Sequence, residues 1–338
     1  MRYRKTLTFC LAGFLLITGC EKKSLHKTGR SLMGTLVHIT IISADERRAY
    51  KASEAAYAEI ARIEALMSPY KRNSDIHKIN NPASERIEIT PETFALIQRS
   101  LDISSRTDGA FDITFASLSH LWRFSDKVFT PPDDRPVRKC LPLVNYRNIR
   151  LNTDDKSLTL LRKNVRLGLG GIAKGYALRK AMEILKKRGI TDAIVEAGGD
   201  LQVLGSRGEV PWTVGLAHPR RKAILALISM TAGESVATSG DYERFALYKG
   251  KRYHHIINPR TGYPARGLIS VSVLTADPVE ADAYATALFV MGKDKAVHLL
   301  QRNPRLKAVL IDRDLKVYAS RELMQRFTPT DGVEVEWF

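Results

Sequence analysis

The chain has 338 residues and a formal net charge of +17 at pH 7, from 53 Lys and Arg against 36 Asp and Glu. This length is ample for a buried core in one large domain or two. The basic balance suits an anionic membrane, a phosphorylated ligand or a nucleic acid. The cations are spread along the chain without an arginine-rich arm or RNA-binding motif, so we expect no nucleic acid partner.

The N-terminus has the pattern of a lipoprotein signal peptide. Basic residues at 2–5 precede an apolar stretch, 7–17, that is too short to span a bilayer, and small residues lead into Cys20. A cleaved secretory peptide with an incidental cysteine is the alternative. Lipid on Cys20 would anchor the protein to a membrane on the periplasmic side of the cell envelope. We therefore divide the chain into a signal peptide (1–19), a lipidated tether (20–30) and a single domain (31–338).

The cysteines of the mature protein set a second limit. Cys10 lies in the leader and Cys20 would carry lipid, so only Cys140 would remain as a thiol. One thiol forms neither an intramolecular disulfide nor a thiolate metal site. The domain must therefore be held together by its core.

Hydrophobic periodicity predicts the elements of the first half. Residues 33–42 alternate as in a strand, and 45–67 have the spacing of an amphipathic helix that Pro69 stops. A second helix, 91–106, is opened by Thr90 and Pro91. The proline-containing stretch 125–148 is predicted to be irregular.

The second half alternates between strands and helices. A strand near 158–167 leads through a glycine-rich turn into a helix at 172–188. Further elements are predicted as strands at 193–197, 201–205, 212–217, 224–230 and 269–275, a helix at 279–303 broken near Gly292, and a hairpin at 307–318. Because this is not a regular β-α-β series, we expect an α+β fold with mixed or antiparallel sheets flanked by helices.

The helix that begins at about 279 carries two oxygen ligands. In EADAYATALFVMG (280–292), Asp282 and Thr286 are four residues apart and therefore lie on one face, one turn from each other. Hard oxygen ligands in an otherwise apolar helix suit Mg²⁺ or Ca²⁺. The spacing therefore predicts a site for a hard cation.

A glycine-rich turn precedes the helix at 172–188. The segment from Gly168 to Gly175 (GLGGIAKG) would let backbone approach a phosphate at a helix N-terminus. It fits a loose dinucleotide fingerprint, but it lacks the Ser or Thr that follows Lys in a P-loop. A glycine-rich turn without a ligand explains the pattern about as well.

Three polar segments are further candidates. Residues 107–114 contain Gly-Ala-Phe-Asp, which in isolation is best explained as a turn with an aromatic core anchor. Residues 238–242 (TSGDY) are predicted to be a polar turn. The segment HHIINPRTGYP (254–264) places His255 beside a Pro and Gly turn, and histidine is the usual acid or base at neutral pH.

The order of these motifs resembles one family. Met-Gly-Thr, Gly-Ala-Phe-Asp, Gly-Gly-Ile-Ala-Lys-Gly, Glu-Ala-Gly-Gly-Asp, Thr-Ser-Gly-Asp-Tyr, His-Ile-Ile-Asn-Pro-Arg-Thr-Gly and Ala-Asp-Ala-Tyr-Ala-Thr follow one another in the chain. The chain is similar over about 30–320 to the FAD:protein FMN transferase (ApbE) family, which includes lipoproteins. The resemblance implies that 31–338 is one large ApbE-like, T-fold-like catalytic domain.

The resemblance also implies a reaction. Family members use FAD and Mg²⁺ to transfer FMN to a Thr or Ser hydroxyl of a target protein, with release of AMP. The targets are typically flavoprotein subunits of Nqr- or Rnf-type membrane redox complexes. By this similarity, the metal ligands would be Asp282, Thr286 and the backbone carbonyl of Gly171. The FAD contacts would be Met33, Tyr70, Ala110, Phe111, Asp112, Lys174, Ile256 and Ala285.

Catalysis is assigned to Asp282 as the metal carboxylate and to His255 as the base or proton relay. Two positions depart from the family pattern. Gly168 stands where the family commonly has Asp, and Asn258 stands where Asp is usual before Pro-Arg-Thr-Gly. Both changes remove a carboxylate near the expected site and leave the number of metal ions open.

Three other functions compete with the transferase. If water replaces the acceptor hydroxyl, the protein is an Mg²⁺-dependent FAD diphosphatase that yields FMN and AMP. A non-catalytic flavin-binding lipoprotein would have the same pocket without turnover, but binding alone does not require Asp282 and Thr286 in this placement. A nicotinamide oxidoreductase would rest on the loose glycine spacing alone.

Overall fold

A computed structural model describes residues 23–124 and 128–338 of the chain. The predicted signal peptide and Cys20 lie outside these residues. Among the helices of the described ranges, none combines the length and the apolar character needed to cross a membrane.

The described residues form seven α-helices, four short 3-10 helices and seventeen strands. The helices are α1 (Glu46–Met67), α2 (Asp75–Asn80), α3 (Pro91–Arg106), α4 (Asp134–Cys140), α5 (Ala173–Lys187), α6 (Pro278–Met291) and α7 (Lys293–Gln301). The first nine strands are β1 (Ser24–Leu32), β2 (Thr35–Ser43), β3 (Ile87–Glu88), β4 (Ile149–Asn152), β5 (Ser157–Leu160), β6 (Ala193–Ala197), β7 (Asp200–Leu204), β8 (Thr213–Ala217) and β9 (Ile224–Ser229). The others are β10 (Ser235–Gly240), β11 (Phe245–Tyr248), β12 (Lys251–His254), β13 (Leu268–Thr275), β14 (Lys307–Asp312), β15 (Val317–Ala319), β16 (Phe327–Pro329) and β17 (Val335–Trp337).

A nine-stranded sheet in the order β1-β2-β6-β7-β10-β13-β14-β15-β17 organises the fold. Neighbouring strands are antiparallel except β15 and β17, which are parallel. Two three-stranded sheets, β16-β9-β8 and β3-β5-β4, and the β11-β12 hairpin accompany it. The predicted α+β class with mixed or antiparallel sheets and flanking helices is confirmed.

Both faces of the large sheet are covered, and each cover forms a core. In β14, Ala308 and Leu310 pack with the helices, whereas Val309 and Ile311 pack with the β16-β9-β8 sheet. Alternate residues of a strand point to opposite faces, which explains this division. Strand β13 is buried at every residue for the same reason. The centre of the sheet, where β10 and β13 pair, is therefore a rigid base for α6.

The long helices begin and end at the signals that the sequence contains. Asp45 accepts a hydrogen bond from the backbone N–H of Arg48 at the start of α1 (2.8 Å), and the helix ends two residues before Pro69. Thr90 caps α3, with Pro91 as its first residue. Such caps satisfy backbone N–H groups that lack a partner within the helix. The predicted helices at 45–67 and 91–106 are therefore confirmed.

Several predicted boundaries were wrong. The described part of the predicted tether is strand β1, which pairs with β2 from Ser24 opposite Ser43 to Leu32 opposite Thr35. The strand predicted from 33 begins at Thr35, because Met33 and Gly34 form the hairpin turn with φ of 54° and 71°. The strand predicted at 158–167 is only β5.

The stretches predicted as irregular or polar turns also contain regular structure. The described residues of 125–148 include α4 and two short 3-10 helices, Leu141–Leu143 and Tyr146–Asn148. The segment TSGDY begins within strand β10, which pairs with β13 and β7. The β11-β12 hairpin was not predicted. Strand β10 is stabilised by partners distant in sequence, which local patterns do not reveal, whereas β11 and β12 pair with each other across a short turn.

Candidate functional site

Helices α5 and α6 meet closely at Gly175. A Cβ atom on Gly175 would overlap the backbone carbonyl of Pro278 and lie 3.0 Å from the Cα of Val279. The missing side chain lets the N-terminus of α5 approach α6, and the backbone N–H of Gly175 donates to Oδ2 of Asp282 (3.0 Å). A carboxylate at a helix N-terminus is favoured by the unpaired N–H groups and the helix dipole. Asp282 is thus held in one orientation although it is only 4% exposed.

The predicted metal ligands lie together. A Cβ atom on Gly171 would be 3.3 Å from Oγ1 of Thr286, so the turn before α5 passes directly against α6. Oγ of Ser239, in β10, is also 3.3 Å from Oγ1 of Thr286. Asp282 lies one turn before Thr286 on α6. A carboxylate, hydroxyls and a nearby backbone carbonyl are ligands that suit Mg²⁺ when a substrate's oxygens complete its shell.

Lys174 lies between two buried carboxylates. Its Nζ donates to Oδ1 of Asp282 (3.1 Å) and, in a short contact, to Oδ2 of Asp200. Burial opposes the charged lysine, but the two carboxylates outweigh it and hold the pKa of Lys174 above its usual value. Burial raises the pKa of Asp200 to about 7 against the attraction of Lys174, and the Asp282 charge adds to the rise. When Asp200 is ionised, two carboxylates and one ammonium leave a net negative charge here, which favours binding of a further cation.

The two adjacent histidines have different environments. In His254, Nε2 contacts the carbonyl oxygen of Ala265 (3.0 Å) and Nδ1 accepts from the N–H of Ile256 (3.3 Å), so both ring nitrogens are used. In His255, Nδ1 contacts the carbonyl oxygen of Arg244 (3.2 Å). With the proton on Nδ1, this contact leaves the Nε2 lone pair as an acceptor.

Burial makes His255 a neutral base. It lowers the pKa of His255 to about 4, although the hydrogen bond to Arg244 acts in the opposite direction, and the charges of Arg244 and Lys174 contribute to the lowering. The side chain is nevertheless only half-buried. His255 is therefore deprotonated at neutral pH, and its Nε2 is available as a proton acceptor.

Several predicted FAD contacts surround these groups. Arg244, whose carbonyl holds His255, donates from Nη2 to the carbonyl of Gly34 (3.4 Å), so the Met33 turn lies beside the His255 turn. The ring of Phe111 is 3.3 Å from a Cβ position on Gly171. Other predicted contacts are buried parts of the same elements: Ala110 before Phe111, Ile256 after His255 and Ala285 before Thr286.

Two predicted FAD contacts are placed differently. Tyr70 is 92% exposed, and within 23–124 and 128–338 no hydrogen bond or ring contact joins its side chain to the group around Asp282. Asp112 is buried, and its carboxylate accepts from the N–H of Thr114 (2.8 Å) and of Tyr146 (2.7 Å). Burial raises the pKa of Asp112 against these hydrogen bonds. The Asp112 carboxylate therefore anchors the loop that carries Phe111.

A cavity of about 210 Å³ lies next to this loop, between the Gly109–Asp112 turn and Pro259 and Arg260. Arg260 pairs with Asp108 across it, which ties the two loops together. A cavity of about 340 Å³ at β4 and β5 contains none of the candidate residues. Neither cavity is lined by Lys174, Asp282 or Thr286.

Known proteins match both the sequence and the fold of this chain. The sequence model of the ApbE family matches residues 33–310. The chain belongs to the ApbE family. A FAD:protein FMN transferase of Klebsiella pneumoniae (strain 342) is 31% identical over 304 residues, covering 89% of this chain and 93% of that relative. One of Vibrio cholerae is 31% identical over 327 residues, covering 92% and 95%.

Solved structures of the family have the same fold. The ApbE protein of Thermotoga maritima matches with a TM-score of 0.84 and 34% identity, over 90% of this chain and 99% of that one. The flavin transferase ApbE of Vibrio cholerae matches with a TM-score of 0.79 and 25% identity, over 90% and 99%. The predictions of family, of an ApbE-like fold and of an enzyme of the flavin transferase class are confirmed.

The two departures from the ApbE pattern have local explanations. A Cβ atom on Gly168 would be 3.1 Å from the Cβ of Ala116, so a carboxylate there would crowd the 3-10 helix Ile113–Leu118. Oδ1 of Asn258 accepts from the N–H of Arg260 (2.9 Å), which closes the turn as an aspartate would. Asn258 thus preserves the turn but lacks the negative charge of an aspartate.

The sequence interpretation assigned no site role to two residues, Asp200 and Ser239. Asp200 contacts Lys174 and accepts from the N–H of Thr238 (3.2 Å), and Ser239 contacts Thr286. The available signal was the motif Glu-Ala-Gly-Gly-Asp, in which Gly198 and Gly199 have positive φ and turn the chain into β7. Asp200, the carboxylate that directly follows this turn, could therefore have been predicted as a site residue.

Proposed function

We propose that this chain transfers the FMN half of FAD to a Thr or Ser hydroxyl of a target protein and releases AMP, with Mg²⁺ as cofactor. The observation that carries the proposal is the convergence of Lys174 and the N-terminus of α5 on Asp282 and Thr286. The turn that carries His254 and His255 packs against the same helix, because the ring of His254 contacts that of Phe289 on α6. Cations and helix N–H groups recognise a pyrophosphate. The curated relatives named above are FAD:protein FMN transferases.

The oxygen ligands fit Mg²⁺. Asp282, Thr286 and the carbonyl of Gly171 would hold the ion, and Ser239 lies against Thr286. Both oxygens of Asp282 accept N–H hydrogen bonds, but a carboxylate keeps further lone pairs for a cation. When bound, Mg²⁺ supplies charge neutralisation at the pyrophosphate and polarisation of the phosphorus.

The protein's own groups account for the proton transfer. The acceptor hydroxyl would form an oxygen–phosphorus bond at the FMN side of the pyrophosphate, and its proton would pass to Nε2 of His255. The bond from this phosphorus to the bridging oxygen breaks, and AMP leaves with that oxygen. Arg244 orients the imidazole through its carbonyl, which keeps Nε2 as the acceptor. Lys174 would stabilise charge on the phosphates.

The acceptor is tested by mass. Wild-type chain, FAD and Mg²⁺ are incubated with a flavoprotein subunit of an Nqr- or Rnf-type complex, the target class that the family implies. Covalent FMN on that subunit supports the transferase. Free FMN and AMP without labelled protein would instead identify the diphosphatase, and FAD binding without cleavage would identify a flavin-binding protein.

Matched variants test the residues. His255→Ala should slow transfer by about a hundredfold, the size of a lost general base, and His298→Ala on the exposed face of α7 is the control. Asp282→Asn should abolish Mg²⁺-dependent transfer, with the exposed Asp294→Asn as control. An unchanged rate and pH profile for His255→Ala would remove its role as base, and normal metal dependence of Asp282→Asn would remove the metal site.

We also propose that the mature protein is anchored by lipid on Cys20 to the periplasmic side of an envelope membrane. The basis is the basic and apolar leader that ends in small residues before Cys20. Cys20→Ser should abolish incorporation of labelled palmitate and move the protein from the membrane fraction to the soluble fraction. Membrane retention and labelling of this variant would contradict the anchor.

A further inference from the structure

We propose that Asp200 is a positioning residue that holds the Lys174 ammonium and thereby keeps the Asp282 carboxylate available to a divalent cation. This inference rests on the proposed metal site and adds a residue to it. Asp200 contributes no ligand in this arrangement. It acts on the metal through Lys174.

Lys174 shares its ammonium between the two carboxylates. Asp200 and Asp282 have side chains that are 2% and 5% exposed, and the Lys174 side chain is 27% exposed. Nζ is 3.1 Å from Oδ1 of Asp282 and closer still to Oδ2 of Asp200. The stronger attachment of the lysine is therefore to the carboxylate that is not a proposed metal ligand.

The position of Lys174 is unfavourable for a lysine without these partners. It is the second residue of α5, where the helix dipole favours negative charge and repels a cation. Partial burial removes part of its hydration. If Asp200 were neutral, Asp282 would be the remaining carboxylate in contact with Nζ among those described. The ammonium would then pair with Asp282 alone and compete directly with a bound cation.

Asp200 is itself held in place by the sheet. Its Oδ1 accepts from the backbone N–H of Thr238 (3.2 Å) on β10, which leaves Oδ2 for Lys174. An asparagine can keep Oδ1 on Thr238 and removes only the charge. The substitution Asp200→Asn is therefore closely matched in shape.

The test measures metal binding without flavin. Mn²⁺ is titrated into the full chain at pH 8, and free Mn²⁺ is followed by electron paramagnetic resonance. The proteins are wild type, Asp200→Asn, Lys174→Met and the double variant. Asp200→Asn should weaken Mn²⁺ binding at least about tenfold, since the Lys174 ammonium would then pair with Asp282, the proposed metal ligand, alone. In the Lys174→Met background, the same substitution should change the affinity less than about threefold, because its effect passes through the lysine.

Two results with Asp200→Asn would overturn the proposal. Wild-type affinity in Asp200→Asn would show that Asp200 does not influence the metal, and equal weakening in both backgrounds would show that it acts by its own charge. If Asp200→Asn does not fold, Asp200→Glu replaces it. This variant keeps the charge but extends the reach by one methylene, so its affinity should stay within about threefold of wild type. A larger loss would contradict the proposal.

Failure of the proposed function gives a different pattern. If no flavin is transferred but the Mn²⁺ affinities of the four proteins are as expected, the transferase is contradicted and the role of Asp200 stands. A wild-type chain that binds no Mn²⁺ would contradict the metal site and this inference together.

Discussion

Gly175 is the position where one methyl group should damage both the fold and the site. In Gly175→Ala, the new Cβ would overlap the carbonyl of Pro278, lie 2.6 Å from its carbon and lie 3.0 Å from the Cα of Val279. All of these are backbone atoms, which cannot rotate away as a side-chain end can. Helix α5 must move from α6 by about 1 Å to restore ordinary contact distances.

The size of the effect follows from this movement. Overpacking in a close-packed interior costs about 3 kcal/mol at the upper end of its usual range, and rigid backbone on both sides places Gly175→Ala there. In a domain of this size, such a loss lowers the melting temperature by about 5 °C. The same shift pulls the Gly175 N–H away from Asp282. A displacement of about 1 Å at a reactive centre can cost about a hundredfold in rate.

The assays are urea unfolding, thermal unfolding and Mn²⁺ titration, with Gly170→Ala as control. Gly170 lies in the same turn, but a Cβ there would meet no atom within 4 Å. We expect Gly170→Ala to unfold like wild type. The reasoning is refuted if Gly175→Ala keeps the wild-type melting temperature and Mn²⁺ affinity, or if both alanine variants lose stability equally.

Two further predictions concern residues outside the reacting groups. Glu234 is buried, and its carboxylate accepts hydrogen bonds from Arg326 (2.6 and 2.8 Å) and Lys307 (3.4 Å). Glu234→Ala should therefore lower the free energy of unfolding, measured in urea, by about 3 kcal/mol and leave the Mn²⁺ affinity unchanged. Unfolding curves equal to those of wild type would contradict this. Burial lowers the pKa of His254 from 6.5, so below pH 6.5 the unfolded chain binds the proton and the folded chain does not. The free energy of unfolding should therefore fall as the pH is lowered from 7.5 to 5.5. In His254→Gln this fall should be smaller, because of the two adjacent histidines only His255 would still contribute to it. An unchanged dependence of the free energy of unfolding on pH would contradict this prediction.

Local signals in the sequence determined the long helices. Asp45 and Thr90 are helix caps, and Pro69 lies just beyond the end of α1. These signals act through the local backbone, so α1 and α3 could be predicted from short segments. The four-residue spacing of Asp282 and Thr286 determined that they share a face of α6. The order of the short motifs was enough to predict the family, because it requires no knowledge of how they pack.

Strand partners could not be predicted in this way. Residues 24–30 have the composition of a tether, yet they form β1 because β2 offers a complete row of backbone partners. The TSGDY segment has the polar character of a turn, but β7 and β13 hold its first residues in the sheet. The pairing of β10 with β7 and β13 joins residues that are remote in sequence. Even the adjacent strands β1 and β2 are not specified as partners by the composition of residues 24–30.

The charged centre of the site was decided by the same tertiary pairing. Lys174 lies 26 residues from Asp200 and 108 from Asp282, and the three meet only because β7, α5 and α6 are packed together. The sequence interpretation named Lys174 as an FAD contact and Asp282 as a metal ligand, and both roles stay predictions. The adjacent histidines show the same limit: only the fold encloses both nitrogens of His254 and leaves one nitrogen of His255 as an acceptor. Sequence determines which chemical groups are present and their local spacing, whereas burial and charge partners are properties of the packed chain.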